Sequence, residues 1–512
     1  MAAPEVQHLQ SYRRHITSEF LKDRYPYLED INAHLKPDDV AMAFGDRLYP
    51  RLVEQLKSPG MPAEKLCEAL RTICDLCSNQ ENKSQAIASD AVAAATNLLA
   101  HGSVDVQRDA ARAIGGLAYL IGGRFQMPMG NTQMSKAEIG TFGAGPTLPR
   151  LAKLLFHCND ELVKMNVAQA FKSVTVFRDG CQQVVDQGSV RSIAQYLCAT
   201  LPDLPPSEPL SLCLLYLLQT LAAVTMYASG GMNDLFGVGL IERIVGFLAV
   251  VPQDGKLVGA SAEDSVEILR QALRVLWHCG NDPRGRKEFL KAAGVKVATQ
   301  YLVAGDAKVR EAAVCALNVA SLETQGKKDI LQHSPVGLAA LLHSGDSETP
   351  YLHETCVQLV RSASELPAFR FAFARRIVES SWLLEKIYGT CALAAISPLL
   401  RPEEDLATRR QALQVAAYFL TTKMDGDLIK VPPVCSLDDN QSPMDFALED
   451  CVDILHDLVG LLQDAREPAT MCLKAMCSAA RPREELAALV STGKLVVPEA
   501  SRKDIAALTG VC

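Results

Sequence analysis

What this chain has little of narrows it first. Aromatic residues make up 6% of its 512 residues and only two are tryptophan, a sparseness that suits closely packed helices of alanine and leucine. Strict alternation of apolar and polar residues is almost absent, which argues against a sheet with one wetted face. Positive charge is not in excess: 51 Lys and Arg stand against 59 Asp and Glu, a net charge of -8. Such a chain has no long-range pull toward nucleic acid or an anionic membrane, and its expected partners are proteins. The first twenty residues lack the apolar run of a secretory signal, Ala2 stands where myristoylation needs glycine, and "LTGVC" ends on its cysteine rather than in a prenylation box.

Cysteine is plentiful, with sixteen residues scattered along the chain. Cys67, Cys74, Cys315 and Cys356 fall on apolar helix faces, where a reduced thiol acts as a small hydrophobe, so a reducing cytoplasmic compartment is expected.

What the sequence does have is alanine and leucine at helical spacing. In "AKVREAAVCALNVASL", residues 307–322, the stripe is Val309, Ala312, Ala313, Ala316, Leu317 and Ala320. A face so rich in alanine lets a neighbouring helix come close. "VDVQRDAARAIGGLA" repeats the pattern with Val106, Ala110, Ala113, Ile114 and Leu117. Aligning two-residue anchors (Ala69-Leu70, Ala113-Ile114, Ala170-Phe171, Thr220-Leu221, Ala272-Leu273, Ala316-Leu317, Leu359-Val360, Ala412-Leu413, with Ala475-Met476 weakest) gives a period. The steps from Ala69 to Ala113 and from Ala272 to Ala316 are 44 residues, and from Ala316 to Leu359 43.

Each anchor follows a shorter apolar helix, such as "DAVAAATNLLAH" or "TLPRLAKLLFH", and many are led by a further short segment ending near glycine, such as "GCQQVVDQGS" or "GRKEFLKAAG". Three helical pieces per unit with this period resemble the armadillo repeat more than the two-helix HEAT repeat. The expected fold is all-α: an armadillo/HEAT-like right-handed superhelical solenoid, which suits a chain too long for one core. The apolar run at 210–228 is long enough to cross a membrane, but Gln219 and the flanking repeats place it as a buried helix of the stack.

The organisation expected is an N-terminal arm and cap at 1–37, a repeat region at 38–422 interrupted by a Gly- and Met-rich insertion at 122–147, a linker at 423–443, and a degenerate helical repeat at 444–512. Arg124, Phe125, Met127 and Met129 on the insertion are candidate protein contacts, as adaptable Met-bearing loops often are. Arg361, Arg370, Arg375 and Arg376, interleaved with Phe369, Phe371 and Phe373, form a second candidate patch.

Motifs for chemistry fail on spacing. "CDLC" at Cys74 to Cys77 has no second pair to complete a zinc site. "HETCV" at His353 has Val357 where a zincin needs its second histidine. His278 beside Cys279 sits at a helix end and reads as a packed histidine rather than a catalytic dyad. "TGKL" around Lys494 and the glycines of "TFGAGPT" lack the context of a phosphate loop. No enzyme, metal, cofactor or small-molecule substrate is expected.

Catenin- and importin-type armadillo proteins bind extended peptides through an Asn two positions after the anchor Leu. Those positions here hold Thr72, Gly116, Ser173, Ala223, Val275, Val319 and Ser362, so an importin-like groove is not expected. "DDVAMAFGDRLYPRLVEQLKS", residues 38–58, resembles the opening motif of the radial spoke head 14 homologue family through Ala41, Ala43, Gly45, Arg47, Pro50 and Leu52. "EALRTICDL" and "VDVQRDAARAIGGLAYLIGGR" continue the likeness over the first two repeats. That resemblance implies a non-enzymatic subunit of the radial spoke in the axoneme of motile cilia or flagella, held by other spoke proteins in a large complex. The alternative is a cytosolic armadillo adaptor or assembly factor.

Overall fold

A computed structural model describes residues 48–128, 146–202, 207–251, 256–257, 259–334, 337–338, 341, 350–366, 369, 400, 408–410, 412–413, 415, 455, 458–463, 466–477 and 480–510. The arm at 1–37, the motif positions Ala41, Ala43, Gly45 and Arg47, residues 129–145 of the insertion, and the linker at 423–443 lie outside the described residues. Among the described residues every regular element is helical. The chain divides into two compact units, Met1–Ser192 and Ile193–Cys512.

In the first unit, α1 (Leu48–Lys57), with Pro50 in its first turn, leads into α2 (Ala63–Leu76). Two three-helix repeats follow. The first is α3 (Gln80–Ala88), α4 (Ala91–Leu98) and α5 (Val104–Leu117); the second is α6 (Ile121–Gln126), α7 (Thr147–His157) and α8 (Glu161–Thr175). α9 (Arg178–Asp186) and the start of α10 (Ser189–Thr200) open another. α6 corrects one boundary: the insertion was expected from residue 122, yet residues 121–126 are the first helix of a repeat.

The second unit contains α11 (Glu208–Tyr227), α12 (Leu240–Val250), α13 (Ala262–Gly280), α14 (Pro283–Lys291), α15 (Gly294–Gln300) with a 3-10 turn Tyr301–Val303, α16 (Ala307–Ala320), α17 (Thr324–His333) and α18 (Pro350–Ala363). α19 (Arg466–Met476), α20 (Ala480–Ser491) and α21 (Arg502–Thr509) follow toward the C-terminus. α11 is long and apolar enough to cross a membrane by length and composition alone, but 61% of its apolar window is buried and it packs along α13.

The third helix of each repeat packs on the third helix of the next: α2 on α5 and α5 on α8 in the first unit, and α11 on α13, α13 on α16 and α16 on α18 in the second. All the anchors from Ala69-Leu70 to Ala412-Leu413 are buried, and Met476 with them. The small side chains set the spacing. A Cβ placed on Gly115 would lie 3.2 Å from the Ala170 Cα, and one on Gly280 only 2.5 Å from Val319 Cγ2, so helices here meet nearly backbone to backbone.

Corners between helices follow local rules. Asp306 caps α16 by accepting from the Lys308 and Val309 amides at 2.9 and 3.1 Å, and Asp160 and Asp282 do the same for α8 and α14. Four turns into second helices pass through a left-handed residue, Asp90, Gly188, Gly239 and Ala293, with φ of 65°, 67°, 81° and 57°, whereas α7 is entered from Pro146 at φ -57°.

A second device joins third helices to the first helices that follow. Asn82 Nδ2, Arg124 Nη1, Cys181 Sγ and Arg286 Nη1 each donate to the main-chain carbonyl six residues earlier, on Leu76, Ala118, Thr175 and Gly280, at 3.0, 2.9, 3.3 and 3.0 Å. Carbonyls at the ends of helices lack the amide that serves those inside, and the side chains supply donors to them; Leu76 O also accepts from the Asn79 amide at 3.4 Å. In three of the four cases the residue just before the donor is a glycine, Gly123, Gly180 or Gly285. A Cβ on any of these would lie 1.9 to 2.2 Å from the carbonyl oxygen of the residue six before it, and Gly326 in α17 repeats that geometry at 1.9 Å from Ala320 O. Glycine lets the first helix touch the end of the third.

Candidate protein interface

The third helices leave stripes of side chains at the surface. In the first unit the α5 stripe carries Asp105, Arg108 and Arg112, with Tyr119 just past its end. Its first turns are internally neutralised. Asp109, buried between helices, accepts from Arg71 Nε at 2.8 Å and Arg108 Nε at 3.3 Å, while Arg108 also pairs with Asp105 at 2.9 Å. Burial, then Asp109, pushes the Cys67 thiol above its ordinary pKa.

In the second unit the α13 stripe is Glu263, Glu267, Arg270, Arg274, Trp277 and Asn281, a run at heptad spacing. The peptide-Asn positions two after the anchor are not the exposed ones here: Val275 and Val319 are buried, as is Ser173. Apolar valines at those positions are drawn into the helix interfaces, so the exposed position moves one residue earlier, to Arg274 and Asn318. The sequence reading therefore missed one asparagine on this surface. Asn318 Nδ2 donates to Gln358 Oε1 on α18 at 3.2 Å.

The sequence-predicted contacts scatter. Arg124 was expected on a free loop, and the structure instead buries it to 3% exposure. Its Nε donates to Asp179 at 2.8 Å, Nη1 to Ala118 O, and the guanidinium lies 4.0 Å from the Phe177 ring centroid. Met127 is likewise fully buried, because the helix at 121–126 carries it into the core. Phe125 is 67% exposed, with Ile121 and Tyr119 exposed at the same corner. Arg361 is exposed on α18, whereas Phe369 is buried. Met129, Arg370, Arg375 and Arg376 lie outside the described residues.

The residues weighed for chemistry have structural surroundings. Cys74 lies in α2 and Cys77 just beyond it; burial pushes their thiols up to about 12 and about 11. His278 is buried with Nδ1 2.9 Å from Ala222 O and 3.1 Å from Thr225 Oγ1, and desolvation first, Arg274 second, holds its pKa down to about 4. Among the described residues no group of three His, Cys, Asp or Glu is placed to hold a metal ion.

No family model matches the chain, and no curated protein matches it. Among solved structures, an engineered protein superposes with a TM-score of 0.58 at 19% identity, covering 91% of this chain and 97% of its own. A designed armadillo repeat protein matches with a TM-score of 0.39 at 19% identity over 53% of this chain, and another, in complex with the peptide (KR)4, with 0.39 at 18% over 53%; each is covered to 99% of its own length. At such identities the likeness concerns the fold alone. With three-helix repeats, buried anchors and third helices stacked in series, the chain is an all-α solenoid of the armadillo type.

Proposed function

We propose that this protein is a non-catalytic scaffold that holds other proteins on the exposed stripes of its third helices. One observation carries the reading: the second unit presents Arg274, Trp277, Asn318 and Gln358 on neighbouring third helices, polar and aromatic side chains that the fold itself leaves at the surface. Repeat solenoids offer extended surfaces of this kind, in which each repeat adds a few contacts.

The narrower proposal is a subunit of the radial spoke in the axoneme of motile cilia or flagella. The sequence likeness of residues 38–58 supports it; of its motif, Pro50 and Leu52 lie among the described residues, at the start of α1. The acidic balance favours docking to other spoke proteins over direct capture of acidic tubulin tails. A tagged copy followed by quantitative mass spectrometry through detergent and high-salt extraction of axonemes tests this. Retention with spoke proteins is the expected result. Full recovery in the detergent-soluble fraction would overturn the axonemal reading and leave the cytosolic adaptor.

A further inference from the structure

We propose that the cleft between α19 and α21 binds a small phosphate monoester, with Lys474, Thr470 and Arg466 as its donors. Such a site is independent of the scaffold reading.

The site is built on one stripe of α19. Arg466, Thr470 and Lys474 stand four residues apart, which puts them on the same side of the helix, and Met471 lies beside them. α21 packs on α19 and contributes Asp504. Among the described residues these five side chains line a cleft of about 360 Å³, a size that suits a small molecule.

Three of the five have donors to spare. Thr470 is only 9% exposed, and its hydroxyl has no hydrogen-bond partner, a cost that a bound acceptor removes. Lys474 is exposed and meets no carboxylate at ion-pair distance among the described residues. Asp504 is instead taken by Arg466, whose Nη2 donates to Oδ2 at 3.0 Å. That bond uses one N–H of a guanidinium that has five, so Arg466 can donate again while Asp504 holds it in place.

The donors define the ligand. Two cations against one carboxylate leave the lining net positive, which selects an anion. A phosphate monoester brings three terminal oxygens to three separate donors, where a carboxylate brings two. Near its second pKa of about 6 it also carries an O–H for Asp504 to accept. Met471, 49% exposed, offers a polarisable apolar contact to the carbon side of the ester.

The test is isothermal titration of the full-length protein with phenyl phosphate, with benzoate, and with an acetylated phosphoserine tripeptide amide. Phenyl phosphate should bind saturably with a Kd below about 1 mM, and benzoate at least roughly tenfold more weakly. Lys474→Ala should weaken phenyl phosphate roughly tenfold. Thr470→Val should also weaken it, by roughly fivefold, yet leave the Tm unchanged or raised, because a hydroxyl without a partner gives way to a methyl of the same shape. Lys291→Ala, on α14, should change nothing. Thermal melts of each variant separate lost contact from lost fold.

Benzoate bound as tightly as phenyl phosphate would overturn the choice of ligand, and no saturable binding of either would overturn the site. Lys474→Ala and Thr470→Val variants that bind phenyl phosphate like the native protein would overturn it too. A phosphoserine peptide preferred by more than about tenfold would replace the small molecule with a phosphorylated protein partner.

Discussion

Replacing Gly326 by alanine, a change of one methyl group, tests how the repeats are joined. Gly326 lies in the first turn of α17, where a Cβ would stand 1.9 Å from the carbonyl oxygen of Ala320, the last residue of α16. Real Cβ atoms essentially never come within 3.0 Å of such a neighbour, so the two helices must part by about 1.1 Å, from 1.9 to 3.0 Å. The atom in the way is main chain, which cannot rotate aside. The next residue, Lys327, pairs with Glu365, so the shift loosens that contact as well. Overpacking of this kind costs roughly 2 kcal/mol. Because repeat stacks can open locally, the readout is hydrogen exchange across 324–333, expected to quicken roughly 30-fold at 2 kcal/mol. Gly246→Ala is the control. It lies exposed within α12 with nothing within 4 Å of its Cβ position, so alanine there should stabilise by about 0.5–1 kcal/mol. Equal effects of the two substitutions would refute the claim that glycine in α17 is required by helix contact.

Three further outcomes follow from the same geometry. Ala293→Gly, at the left-handed turn with φ of 57°, should raise stability by about 0.5–1 kcal/mol in urea titration, since alanine is strained there and glycine is not. Arg124→Ala should cost about 2 kcal/mol and Asp179→Ala less than that, because Asp179 keeps 46% exposure while Arg124 caps the Ala118 carbonyl from a buried position; a larger effect at Asp179 would contradict this. His278, buried and neutral with its pKa near 4, binds its proton more readily in the unfolded chain. Its contribution is therefore present above pH about 6.5 and lost as pH falls toward 4, by on the order of 3 kcal/mol, so His278→Leu should flatten the pH profile of unfolding between those values.

The sequence by itself determined the class of fold and its period. An alanine-rich stripe that recurs, at its cleanest, every 43 or 44 residues admits close helix packing, and the anchors read from that stripe are the residues the structure buries. The apolar run of α11 was equally legible, because a buried stripe is a local pattern. Tertiary structure decided which side of each helix stays outside. The rotation of α13 and α16 depends on whether Val275 or Arg274 faces the neighbouring helix, an outcome of packing on both sides at once that spacing along one helix does not fix. Arg124 shows the same limit. In the chain it stands at the edge of a Gly- and Met-rich stretch and reads as loop, yet its partners, Ala118 and Asp179, are 6 and 55 residues away, and only the folded stack brings Asp179 to it.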